Sequence, residues 1–299
     1  MDKLELRRAF STSFDEFNAT ELQKMDDALS PQQQQEWNSI YASFDGHSQL
    51  RGKVIGLEVI PIPKGALENG KTELTCFVVM QYLVKVLIPV PLFWMQDYQP
   101  VHPSSVVGAK VDYVIIGIER SGECAAASRI MALDQQRWYQ REVKGLTEGD
   151  ILPAGMLAVG PTGRLVTAGG YDVSMRQTDL SYNYLGDLRE IYHVGQTMNT
   201  TVTKIDEDSI ALSTKDIGPD PYTNAAIRHP VGSTRIGIIT NKARGTVFCR
   251  LPDGCTVLCK YVRHFSDDQF HIHDRVLIQI REFDDKHHWL RGRIQSRIS

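Results

Sequence analysis

The sequence predicts a mainly β protein with some α, in which an N-terminal helical segment is followed by three tandem repeats of five strands. Three observations carry this reading. Val194 to Lys215, VGQTMNTTVTKIDEDSIALSTK, alternates through two strands joined by the acidic turn Asp206-Glu207-Asp208. The phrases VGAKV and AAASR, which open and close Gly108 to Ser128, echo VGQTM and IALSTK at nearly the same separation: 20 residues, against 18 from Gly195 to Ser213. Residues 1–48, by contrast, space their apolar side chains as a helix does.

In that first segment Asn18 or Thr20 caps a helix through Leu22, Met25 and Leu29, and Ser30-Pro31 starts a second. Trp37, Ile40, Tyr41 and Phe44 share one face of the second helix, which suits packing either on the first repeat or on a partner. The first repeat spans 49–133. Its strands are LRGKVIGLEVIPI from Leu50, Thr72 to Gln81, Val84 to Pro89, Gly108 to Glu119 and Gly122 to Ile130. Met131 to Lys144 has helical composition and ends at Gly145, giving a connecting helix over 134–147.

The second repeat occupies 148–217, with strands at Asp150 to Val159, Arg164 to Ala168 and Tyr171 to Met175. Gly169-Gly170 forms a hairpin turn, and Leu185 to Tyr192 fills the gap before the opening hairpin pair. Asp216 to Pro230, punctuated by Pro and Gly, reads as a linker over 218–231. The third repeat, 232–299, has strands at Ser233 to Asn241, Gly245 to Leu251, Cys255 to Val262, Arg275 to Phe283 and His287 to Ile294. Val202, Ile205 and Leu212 in the second repeat, and Val276, Ile278 and Leu290 in the third, are the candidate core residues.

Composition narrows the function. At 299 residues, 42% hydrophobic and 23% charged, the chain has room for two or three globular domains. Its greasiest run, Val84 to Trp94, is broken by Lys85, Pro89 and Pro91, well short of the ~18 residues of a membrane helix, so no membrane partner is expected. The charged start MDKLELRR argues against a secretory signal, and five cysteines without a CxxC pair fit reduced core thiols, hence a cytoplasmic protein. Charge is uneven: residues 1–50 carry 4 basic and 9 acidic side chains, whereas residues 230–299 carry 12 and 7, with five histidines besides. A phosphate-facing surface belongs at the C-terminal end.

No catalytic constellation is present. G-x-S-x-G, H-E-x-x-H and a phosphate-cradling glycine loop are all missing, so no enzymatic activity and no cofactor are expected. Cys249, Cys255 and Cys259 with His264, His271 and His273 lack the paired knuckles of a zinc site, and Cys255, Val257 and Cys259 alternate inward as core thiols do. Asp206-Glu207-Asp208 is a solvated turn, its side chains diverging too much for a metal cage.

The run VG, some ten mixed residues, ID, a turn and I-x-LS-x-K resembles the end of the S-one motif. That motif is the RNA-binding repeat named after the first protein of the bacterial small ribosomal subunit, and it folds as a five-stranded oligonucleotide-binding (OB) barrel. The chain also resembles three-barrel S-one-like proteins of Gram-positive phage and prophage regions in VKVLIP (Val84–Pro89), in Gly169-Gly170 before Asp179–Tyr182, and in Asp220-Pro221-Tyr222. The resemblance implies three OB barrels whose second and third strands present a Phe and a His to single-stranded RNA.

In the third repeat these positions fall on Phe248 and Lys260. Alternation places Thr246, Phe248 and Arg250 on one face, and Arg263, His264, Arg291 and Arg293 extend the patch. In the second repeat Leu165 replaces the ring and Arg176 the His; in the first, Phe77 stands at the ring position, with Lys85 nearby and Pro89 at the His position. The implied function is a non-enzymatic RNA or single-stranded nucleic-acid binding protein, acting on RNA or through the ribosome, with contact mainly through the third barrel. The alternative is a structural or assembly protein of a phage or prophage particle, whose barrels and acidic N-terminal helices engage other virion or assembly proteins.

Overall fold

The computed structural model describes residues 24–61, 73–95, 100–120, 122–183, 185–243, 245–261, 265–284 and 289–298. The chain gathers into two compact units: one runs up to Met175 and includes Asp187–Leu212, and the other comprises Arg176–Gly186 with Ser213–Ser299. Among the described residues no helix is long and apolar enough to cross a membrane.

In the first unit, residues 24–27 are helical, while Asn18, Thr20 and Leu22 of the expected first helix lie outside the described residues. Helix α1 (Pro31–Gly46) starts where Ser30 and Gln33 satisfy each other's backbone N–H groups, with Pro31 at the first helical position. Trp37 and Ile40 enter the core of the first barrel, and the Ile115 N–H donates to the Ser43 hydroxyl at 3.0 Å. The helix therefore docks on the first repeat. Phe44 at its far end stays exposed, so the expected apolar face is shorter than its sequence spacing suggests.

Strands β1 (Leu50–Pro61), β2 (Glu73–Gln81), β3 (Val84–Pro89), β4 (Lys110–Glu119) and β5 (Cys124–Ser128) close a barrel in the order β1-β2-β3-β5-β4. A parallel β3–β5 pair makes the closure. β5 ends at Ser128 because its hydroxyl accepts the Met131 N–H and caps α2 (Arg129–Trp138), two residues earlier than the sequence spacing suggests. α2 runs on into a π-helical turn, Tyr139–Val143.

Strands β6 (Ile151–Val159), β7 (Gly163–Ala168), β8 (Tyr171–Arg176), β9 (Thr197–Ile205) and β10 (Ile210–Ser213) keep the same connectivity, but the sheet is open, in the order β10-β9-β6-β7-β8. The parallel pairing of third and fifth strands that closes the first barrel does not form here. β10 has only four residues, and the next residue, Thr214, gives its N–H to the Asp179 carbonyl and its hydroxyl to the Leu180 carbonyl, at 2.9 and 2.8 Å. The chain after β10 is thus bonded to the helical turn Gln177–Leu180 rather than to β8. Val202 and Leu212 are buried as expected. Ile205 is only half-buried, because Thr200 and Val202 face inward and alternation sets Ile205 off that face.

In the second unit, β11 (Thr234–Ala243), β12 (Thr246–Arg250), β13 (Thr256–Tyr261), β14 (Arg275–Asp284) and β15 (Trp289–Ile298) form a closed barrel, with β13 and β15 parallel. Val276, Ile278 and Leu290 are fully buried in it. The stretch read as a linker is packed rather than loose. Tyr222 is buried, its hydroxyl accepts the Thr256 N–H at 3.1 Å, and Asn183 bridges to the Gly254 carbonyl at 2.8 Å. All five cysteines are free and buried, and burial pushes the Cys76, Cys124 and Cys255 thiols up to about 12.

The two repeats of the first unit are joined by a buried ion pair. Arg129, 1% exposed, meets Asp172, 3% exposed, through two bonds of 2.6 and 2.7 Å. Arg129 also donates to the Phe93 carbonyl at 2.9 Å and to the Thr167 hydroxyl at 3.2 Å. Asp172→Ala leaves a guanidinium buried without its counter-charge and should cost about 3–5 kcal/mol in urea unfolding. The double variant Arg129→Met, Asp172→Leu should recover most of that loss. Equal instability of single and double variants would show that packing volume, not charge, holds this contact.

Candidate nucleic-acid interface

Each repeat carries a β-bulge in its first strand, at Val54/Gly56, Met156/Ala158 and Ile239/Asn241. The bulge gives a common reference point. The residue just past it pairs with Val78 in the first repeat, Leu165 in the second and Phe248 in the third. These three positions share one address on the outer face of the second strand.

In the third barrel that face is built as its sequence alternation implies. Val247 and Cys249 point into the core, while Thr246 and Phe248 are half-buried and Arg250 is exposed. Phe248 lies opposite Leu258, and the parallel β13–β15 pair then sets Arg291 beside Leu258 and Arg293 beside Lys260. Barrel closure thus brings β15 cations, distant in sequence, onto the same face as the ring of β12, with β13 between them. Lys260, Arg291 and Arg293 are all exposed, and Arg291 shares its charge with Glu282 at 3.3 Å. Arg263 and His264 lie outside the described residues.

Sequence reasoning missed Trp289. It is 44% exposed at the start of β15, with the Arg291 guanidinium 6.0 Å from its ring. The run WLRGR holds the signal, since Trp289, Arg291 and Arg293 have the same parity and buried Leu290 the other.

In the first barrel the same face is apolar. Val78 pairs with Leu87, and Leu87 with Ala126, in a buried cluster with Cys76, Leu74 and Leu92. Phe77 is not at the ring position: it is one residue off, 0% exposed, and its ring meets those of Phe93 and Trp94 at 4.0 and 6.4 Å inside the core. A one-residue difference inverts the face of a strand residue, which is why Phe77 is a core side chain. Lys85 is half-buried and held by Glu58 at 3.1 Å. In the second repeat Leu165 is buried in the cluster that contains Phe93 and Trp94, beside the Arg129 bonds to Thr167 and Asp172. Beneath it, Arg164 is buried with its guanidinium 4.2 Å over the Tyr192 ring, and desolvation lowers its pKa. Arg176, the last residue of β8, is exposed.

One group among the described residues has metal-ligand chemistry, His229, Asp253 and Cys255. His229 Nε2 lies 2.7 Å from Asp253, and Arg235 donates to the other ring nitrogen at 3.2 Å. Arg228 supplies the positive charge at 2.6 Å from Asp253. Burial pushes the Asp253 carboxyl up, but the His229 and Cys255 hydrogen bonds and the charge of Arg228 outweigh it and hold the carboxyl below its ordinary value. The cluster reads as a clasp fastening residues 221–229 to the barrel.

No family model matches the chain. It is weakly similar to small ribosomal subunit protein bS1 of Neisseria meningitidis, 24% identical over 217 residues, covering 71% of this chain and 38% of the relative. The same protein of Pseudomonas aeruginosa is 24% identical over 224 residues, covering 73% of this chain and 39% of the relative. The chain therefore spans less than two-fifths of the length of these relatives. Among solved structures, a multidomain protein with nucleic acid binding domains from Streptococcus pneumoniae is 11% identical, covering 84% of this chain and 74% of that one, with a TM-score of 0.20. A chain of an a/eIF2alpha–aDim2p–rRNA complex from Pyrococcus horikoshii is 18% identical, covering 24% of this chain and 46% of that one, with a TM-score of 0.23.

The different placements of Phe77 and Phe248 separate stability from binding. Phe77→Ala should cost about 3–5 kcal/mol in denaturant unfolding. Phe248→Ala, at a half-buried site, should cost clearly less. The reverse order would show that the registers of β2 and β12 are wrong.

Proposed function

We propose that the chain is a non-enzymatic RNA-binding protein that contacts single-stranded RNA through the outer face of its third barrel. One observation carries the reading. Of three equivalent faces, those of the first two repeats are apolar and buried, whereas the third presents Phe248 and Trp289 among Arg250, Lys260, Arg291 and Arg293. Rings beside cations are what a single strand needs: bases stack on the rings, and phosphates meet the charges. The weak similarity to bS1 supports the same reading and motivates a link to the ribosome and to the cytoplasm.

A second reading, an assembly protein of a phage or prophage particle, rests on the first two repeats, whose equivalent faces are buried in packing. Salt titration of RNA binding decides between the two. Lys260→Ala and Arg293→Ala should each reduce the slope of log affinity against log salt by about 0.7, the single-strand value per neutralised phosphate. Phe248→Ala should weaken binding about fivefold to a hundredfold at an unchanged slope. RNA binding that none of the three variants alters would overturn the proposed face, and absence of RNA binding would favour the assembly reading.

A further inference from the structure

A groove of about 840 Å³ lies in the first compact unit, on the outer face of the second sheet. Its floor is a row of small residues, Thr197, Gly155 and Thr167, aligned across β9, β6 and β7. One wall is the end of α2 with the π-helical turn; the other comes from the β1 and β4 side of the first barrel. Trp138, on the helical wall, is 62% exposed. A π-helical turn directly after it is a rare conformation that recurs at functional sites.

The lining chemistry suits a planar neutral group rather than a polyanion. Its charged residues cancel, Arg51 and Lys110 against Asp112 and Asp134, and Arg51 is already tied to Asp112 by bonds of 2.6 and 3.0 Å. Side-chain amides dominate instead. Gln49 bonds Gln135 and Gln136 at 3.0 and 2.9 Å, so the wall is pre-ordered. Gln140 Oε1 is buried with no hydrogen-bond partner among the described residues, an acceptor in need of a donor. A nucleobase is flat, uncharged and carries N–H donors.

We propose that this groove takes bases of single-stranded nucleic acid, stacked on Trp138 and bonded to the Gln140 amide as it turns outward from its shielded position, with their phosphates left in solvent. The proposal rests on the nucleic-acid reading above but uses a different unit and a different chemistry. Because the lining is neutral, occupancy here depends little on salt, unlike binding at the basic third barrel.

Trp37 and Trp94 are each 3% exposed, so replacing either Trp289 or Trp138 leaves one exposed indole as reporter. The full chain with Trp289→Phe is titrated with an oligoadenylate of about 12 nucleotides, within the site size of one OB barrel. Trp138 fluorescence should be quenched, with a midpoint moving less than about threefold between roughly 0.05 and 0.2 M salt. Adding Gly155→Leu fills the floor and should weaken that quench about tenfold or more, in line with the loss of a base stack. A Cβ there would meet the Thr167 methyl at 3.4 Å, at the edge of ordinary contact, so the backbone need not move. Gln140→Ala, which leaves the floor intact, should weaken it about fivefold.

The companion chain, Trp138→Phe, reports the third barrel through Trp289. Quenching of Trp289 alone overturns the groove and leaves the barrel face standing. Quenching of Trp138 alone supports the groove and overturns the barrel face. Quenching of neither overturns both, and a Trp138 quench undiminished by Gly155→Leu and Gln140→Ala overturns the groove.

Discussion

The Arg129–Asp172 pair is the constraint on which the first unit depends. Burying a guanidinium and a carboxylate is tolerable only when nearly every donor finds an acceptor, and Arg129 reaches Asp172, Thr167 and the Phe93 carbonyl while lying over the Phe93 ring. These bonds hold Phe93 and its neighbour Trp94 in the same core as Leu165. The part of the second repeat's outer face that carries Leu165 is thereby covered by the first repeat. An outward-facing strand position has become part of an internal interface.

The three repeats show how little must change for one address to acquire different physics. At the position just past the bulge stand Val78, Leu165 and Phe248; on the fifth strand of the two closed barrels stand Ala126 and Arg291. Small apolar side chains at these points bury one another, as the cluster around Leu87 and Leu92 does. Rings and cations there leave a face that is amphipathic and solvent-accessible. Strand order is the same in both closed barrels, and at these positions the difference lies in the side chains.

The second unit adds polar ties to an apolar core that Tyr222 and Ala225 themselves enter. Asn183 and Tyr222, from two separate stretches, share Thr256 and Gly254 of the barrel, and the His229–Asp253–Arg228 clasp secures the end of the same stretch. Such bonds are directional, so they fix position where a small hydrophobic contact would only attract. Cutting the chain close to the third barrel would therefore remove part of that barrel's own support.

The sequence by itself determined the order of elements, the alternation of β12 and β13, and the inward set Val202, Leu212, Val276, Ile278 and Leu290, because period-two burial is a local property of a strand. The start of α1, with Ser30 as cap and Pro31 at the first helical position, was legible for the same reason. Tertiary structure decided the rest. Phe77 and Phe248 look alike in sequence, and only the bulge and the pairing partner, which are long-range facts, place one in the core and the other on the face. Whether β8 and β10 would pair depended on where Thr214 spent its hydrogen bonds. The burial of Arg129, the packing of the apparent linker and the groove beside Trp138 all come from contacts between residues distant in sequence, which no local pattern of charge or hydrophobicity encodes.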